Sequence, residues 1–173
     1  ALPLQLYSHL DQTIQWQSSI VDNPIFRTGW GGRMADLVRS LNGNAKISMS
    51  ISVGGSNYFQ VGNTVSPYMV GSNGAVLLNG FNSWESGARI YGSAKRLFAD
   101  APDNVLGQVF AGTTNSAIAD SEFLADALTK AAQIKTTFPS SDTASRLKMV
   151  ASLISLAAEF GHKRQIFFIS IGG

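Results

Sequence analysis

Residues 47–53 read Ile47-Ser48-Met49-Ser50-Ile51-Ser52-Val53, an unbroken alternation of apolar and small polar side chains. Successive side chains of a strand point to opposite faces, so a period of two predicts a β-strand here. Gly54-Gly55 ends it. The closing stretch, Gln165-Ile166-Phe167-Phe168-Ile169-Ser170-Ile171, has no alternation. Such a continuous apolar run is expected of a central parallel strand covered on both faces. The two segments together place the chain in the α/β class.

Outward from residues 47–53 the pattern turns helical. Ser8 stands three residues before Asp11, as in a capping box, and Ile14, Trp16 and Ile20 follow, predicting a helix over about 9–20. Asp22-Asn23-Pro24 breaks it. A second helix opens near Gly29-Trp30, with Met34, Leu37, Val38 and Leu41 spaced as one apolar face. Between the strand and residue 80, the segments 57–61, 64–70 and 75–78 are short and β-leaning, separated by Gly, Asn, Ser and Pro. They predict a small hairpin-rich insert over about 45–80. Helical patterning resumes over 84–160. Ala88, Tyr91, Ala94, Leu97 and Phe98 mark one face, and signals from Val105 to Phe138 are interrupted near Gly112-Thr113-Thr114-Asn115. Helix 143–160 then follows, apolar round most of its girth. Gly161 is its expected C-terminal stop, with His162-Lys163-Arg164 as surface complements to the helix dipole.

The chain has 173 residues, of which 45% are hydrophobic, enough for one domain-sized core and against disorder as its main state. Only 14% of residues are charged, and 13 Lys and Arg against 11 Asp and Glu leave a net charge of +2. That balance lacks the clustered basic footprint of a nucleic-acid binder. There is no cysteine, which excludes a disulfide scaffold, a thiolate metal site and a cysteine nucleophile. No apolar run approaches the roughly 18 residues of a membrane span.

Three clusters carry chemistry. Ser8, His9, Asp11 and Gln12 bring a hydroxyl, an imidazole and a carboxylate within five residues; a helix cap explains the same residues without catalysis. Thr28-Gly29-Trp30-Gly31-Gly32-Arg33 could offer bare amides and a guanidinium to an anion, or a tight turn packed under Trp30. Val53-Gly54-Gly55-Ser56-Asn57 follows a strand and is either a ligand turn or plain strand termination. Asp120, Glu122 and Asp126 near Lys130 read as a solvated helix face rather than a metal site.

Taken in order, LPLQLYSHLDQTIQWQ, TGWGGRMADLV, NGNAKISMSISVGGSNYFQVG with VSPYMVG, and the closing LKMVASLI and RQIFFISIGG resemble the bacterial domain-of-unknown-function family 1501. The resemblance spans the chain. It implies export by the twin-arginine route to the periplasm or beyond. It also implies the α/β/α sandwich of the alkaline-phosphatase-like superfamily, with metals at strand ends. The chain would be a helix-rich middle fragment of that fold, a single partial domain with 165–171 as a central strand. The Asp and His residues of the family's GGND, FDTH, SDFGR and DHG motifs are not in this sequence, so no metal ligand is assigned, and a divalent metal such as zinc is expected only for the longer protein. By resemblance Ser8 falls where the superfamily places its nucleophile. His9 stands beside it in the catalytic group, while Gln12 and Arg33 contact the oxygens of a phosphate or sulfate ester.

The 173-residue piece by itself is expected to be inactive. Its partner is expected to be the remainder of the polypeptide, or another protein, against strand 165–171 and helix 143–160. The alternative is a non-catalytic cell-envelope or extracellular binding or assembly protein that keeps the fold.

Overall fold

A computed structural model describes residues 7–20, 28–77, 85–100 and 104–171. The chain is mixed α/β and helix-rich, with one small parallel sheet, and it divides into two compact units. Residues 1–74 and 130–173 form the first and residues 75–129 the second.

The first unit is built on strand β1 (Ser50–Ser52). It pairs in parallel with β2 (Tyr68–Met69) and β3 (Ile166–Phe168), in the order β2-β1-β3. Ile51 stands opposite both Tyr68 and Phe167. Flanking bonds extend the ladders: the Ile166 amide donates to Met49, Val53 to Phe168 and Val70 to Ser52. The period-two stretch is therefore a strand, but both of its faces are buried. Ile47, Met49, Ile51 and Val53 enter the core, and so do Ser50 and Ser52.

Among the described residues β1 lies between the other two strands, and β3, within the segment expected as a central strand of the longer protein, has a neighbour on one side. Residues 45–77 cover most of the expected β-rich insert. β2 runs parallel to β1, and the antiparallel contact described there is an isolated bridge between Gly71 and Gly74. The apolar letters were right for strand, but pairing direction depends on where the chain returns in space.

Helix α1 (His9–Ser18) starts where Ser8 predicts, with the Ser8 hydroxyl accepting from the Asp11 amide at 3.2 Å. Helix α2 (Trp30–Val38) continues into a 3-10 turn, Arg39–Asn42. Its packing reverses the expected face. Gly31, Gly32 and Ala35 are buried, whereas Met34 and Leu37 are 51% and 83% exposed. The small residues let the helix lie directly on residues 58–62, where a Cβ at Gly31 would enter the Phe59 ring and one at Gly32 the Val61 backbone. Trp30 meets Phe59 edge-on at 4.5 Å between centroids.

Helix 143–160 is two pieces, α3 (Asp142–Ser155), capped by the Ser141 hydroxyl, and the short α4 (Ala157–Phe160) after a break at Leu156. Leu153, Leu156 and Phe160 are buried, while Leu147 and Ile154 are exposed. Gly161 ends the run in the left-handed region, φ 78°. The Gly161 amide donates to Ala158 and the His162 amide to Ala157, the paired bonds of a Schellman stop.

The second unit holds helices α5 (Glu85–Ala99) and α6 (Val105–Thr129). α6 runs unbroken through Gly112-Thr113-Thr114-Asn115, where an interruption was expected. A glycine there costs only about 1 kcal/mol relative to alanine. The Asn115 side chain also donates to the Phe98 carbonyl at 2.7 Å, a contact between helices that local propensity does not contain. Glu122, expected in a solvated face, joins the two helices. It accepts from Lys95 Nζ at 2.8 and 2.9 Å and from the Tyr91 hydroxyl at 2.7 Å. The Lys95 and Tyr91 bonds hold the Glu122 carboxyl below its usual range, while burial, aided by Glu122, pushes the Tyr91 phenol up to about 12. Residues 1–6, the break at 22–24, Trp84 and the final Gly172-Gly173 lie outside the described residues.

Candidate functional site

In open parallel sheets ligands bind beyond the carboxyl ends of the strands, so the site is sought where β1 and β3 end. Those ends converge at Gly54 and Ser170. A Cβ on Gly54 would stand 2.6 Å from the Ser170 nitrogen, which only glycine avoids. The Ser170 hydroxyl donates to the Gly54 carbonyl at 3.2 Å.

Arg146, from the second turn of α3, reaches the same point. Its Nη1 donates to the Val53 carbonyl and to Ser170 Oγ, both at 3.3 Å. Its Nε and Nη2 bind Asp142 Oδ2 at 2.8 Å, the i, i+4 partner one turn back. A guanidinium that is 24% exposed thus sits at the carboxyl edge of the sheet, oriented by a carboxylate. Four of its five N–H donors are engaged by these partners, which leaves one on Nη2 and the positive charge at the sheet edge. The sequence signal for it was the Asp142–Arg146 spacing directly after a serine cap, which reads equally as an ordinary surface pair.

The turn after β1 is rigid for reasons that span it. The Ser52 hydroxyl donates to the Gly55 carbonyl and accepts from Asn57 Nδ2 at 3.3 Å. Asn57 Nδ2 also donates to Gln60 Oε1 at 3.0 Å, and the Gln60 amide returns to Asn57 Oδ1 at 2.9 Å. Gln60, fully buried, donates from Nε2 to the Ile51 and Ile166 carbonyls, one on β1 and one on β3. Residues 53–57 therefore end the strand in a turn whose Ser52, Asn57 and Gln60 side chains tie it back to the sheet.

Two further polar groups hold the frame. Asn42, buried at the end of the 3-10 turn, accepts from the Lys163 and Arg164 amides at 2.8 and 2.9 Å and donates to the Arg164 carbonyl at 3.0 Å. Asp36 accepts from the amides of Asn63, Thr64 and Val65 at 2.6–3.0 Å. Burial pushes its carboxyl up, but those three amides outweigh it and hold the group below the ordinary carboxylate range.

His162 is not the surface residue expected. It is buried against Phe160, its Nε2 donates to the Ile47 carbonyl at 3.0 Å and its Nδ1 faces Gln165 Nε2 at 3.2 Å, the tautomer these partners require. Burial holds the imidazole below the usual histidine range, against the pull of the Ile47 carbonyl.

The four sequence-derived site residues do not all meet. Ser8, His9 and Gln12 share the first turn of α1, with His9 exposed. Arg33 lies at the other end of that helix. Its Nη2 donates to the Ser18 carbonyl at 2.7 Å and its Nη1 to Thr28 at 3.1 and 3.3 Å. Ten residues of helix separate Ser8 from Ser18, about 15 Å. The glycine amides beside Arg33 are also committed, Gly29 to the Val61 carbonyl and Gly32 to Phe59, so the packed-turn alternative holds there and the anion cradle does not.

Among the described residues no three His, Asp or Glu side chains gather as a metal site. No described helix is long and apolar enough to cross a membrane. No protein-family model, curated protein or solved structure matches the chain.

Proposed function

We propose that the chain is the middle part of an exported hydrolase-like protein of the family 1501 type, with the alkaline-phosphatase-like sandwich that the resemblance implies. Its substrates in this reading are phosphate or sulfate esters. The observation that supports it is the convergence of the β1 and β3 carboxyl ends, where parallel sheets bind ligands, with the positive charge of Arg146 beside them. Ser8 is the candidate nucleophile. Its oxygen accepts from the Asp11 amide at a helix N-terminus, where the aligned peptide dipoles favour developing negative charge on oxygen. His9 and Gln12 complete that group. Arg33, tied to Ser18 and Thr28, is left out of it.

The test is turnover of 4-nitrophenyl phosphate and 4-nitrophenyl sulfate by the full-length protein and by its Ser8→Asn variant. Asparagine caps a helix as well as serine does, so the fold is kept while the nucleophile is removed. Loss of turnover in the variant supports the reading. Turnover unchanged in the variant removes Ser8 from the site.

A second reading, a non-catalytic envelope or extracellular binding or assembly protein, is favoured by the apolar side chains that α1 and α2 expose. Trp16 is 78% exposed, and Leu10, Met34 and Leu37 stand out from the same two helices. Absence of ester turnover in the intact wild-type protein would favour it.

A further inference from the structure

The second unit carries a cationic groove that the reading above does not use. An open depression of about 600 Å³ is lined by Ala88, Arg89, Gly92, Ser93 and Arg96 of α5. Residues three, four and seven apart share one helix face, so Arg89 and Arg96 flank Gly92 from the two sides, about 10 Å apart along the axis. The segment 75–129 has three cations, Arg89, Lys95 and Arg96. Glu122 engages Lys95, whereas neither Arg89 nor Arg96 forms a side-chain hydrogen bond or ion pair with a described residue.

Gly92 is the second observation. In a helix interior glycine costs close to 1 kcal/mol against alanine and is usually accounted for by a close approach or a left-handed backbone. Neither applies: nothing lies within 4 Å of a Cβ built there, and its φ is not positive. Its effect is to keep the floor between the two guanidiniums empty.

We propose that this groove binds an oxyanionic group, a phosphate or a sulfate, clamped between Arg89 and Arg96 over Gly92. Guanidinium forks match tetrahedral oxyanions through paired N–H donors. The small side chains of Ala88 and Ser93 leave the anion room to sit against the helix. The inference rests on α5 alone and stands whether or not the ester-hydrolase reading holds.

The experiment is calorimetric titration of the full chain, at low ionic strength, with inorganic phosphate and separately with inorganic sulfate. Saturable millimolar or tighter binding of either anion is expected; both binding alike would mean simple oxyanion recognition, and one alone would name the source. Arg89→Gln and Arg96→Gln should each weaken binding about tenfold or more, the loss of a charge-assisted contact. Gly92→Leu should abolish binding while the melting temperature holds or rises, because it fills the groove with a good helix former. No saturable binding of either anion, or Gly92→Leu binding as wild type does, would overturn the proposal.

Discussion

Replacing Asn42 by alanine tests the frame most severely. Its side chain joins residues more than 120 positions apart, accepting from two backbone amides and donating to one carbonyl in the turn that leads into β3. Alanine would strand all three backbone groups at a site where Asn42 itself is only 7% exposed. A buried polar group left without a partner costs about 1–3 kcal/mol. The turn is part-buried, so water recovers some of that, and the expected loss is about 3–5 kcal/mol, a large share of an ordinary domain's stability. Asn42→Asp retains both acceptor bonds and loses the donor, so it should cost clearly less. The assay is urea unfolding followed by tryptophan fluorescence in a Trp84→Phe background, which leaves Trp16 and Trp30, both in the first unit, with the slope m compared across variants. A shift in midpoint at constant m reads as stability. An alanine variant within about 1 kcal/mol of wild type would refute the reasoning, because the three bonds would then contribute nothing net.

Other outcomes follow from the same geometry. Ser8→Ala should cost about 1 kcal/mol through the lost cap while Ser8→Asn costs little, measured by thermal unfolding; equal losses would detach Ser8 from the cap. Gly32→Ala should destabilise by about 1–3 kcal/mol as its methyl meets the Val61 backbone, whereas Leu37→Ala, on the exposed side of α2, should stay within about 0.5 kcal/mol. The reverse order would mean that the apolar face is the packed one. His162 holds its imidazole neutral, so the unfolded chain takes up a proton near pH 6.5 before the folded one does. Its contribution is intact above about pH 6.5 and falls as pH drops through that value toward the folded pKa. An NMR titration giving a folded pKa above the ordinary histidine value would contradict this. Asp36 behaves likewise at lower pH. Its contribution is present above the ordinary aspartate pKa near 4 and is lost as pH falls through the still lower folded value. Asp36→Asn should therefore flatten the acid limb of the stability curve; an unchanged limb would show the three amide bonds to be idle.

What could be seen in the letters was whatever neighbours determine. Ser8 and Ser141 cap helices because the amide each accepts from lies three residues on, and Gly161 stops one because a left-handed residue is needed there. The alternation over 47–53 named a strand because side-chain direction is a property of the strand itself. Ser8, His9 and Gln12 were brought together by one helical turn, so their proximity was local too.

What the letters did not hold was the choice among partners distant in sequence. His162 followed a helix stop and looked like a surface cation, yet the Ile47 carbonyl, 115 residues away, accepts from it in the core. Arg146 drew no notice in the sequence, and only the folded chain brings it to the ends of β1 and β3. α2 offered two faces, and the one with glycines won because residues 58–62 approach too closely for side chains. By itself the sequence determined the α/β character, the capped helix starts and the strand within 47–53, all of which turn on interactions a few residues long. Tertiary structure alone decided strand direction, the buried face of α2, the neutral histidine and the guanidinium at the sheet edge. Each depends on a contact whose free energy exists only once distant segments have met.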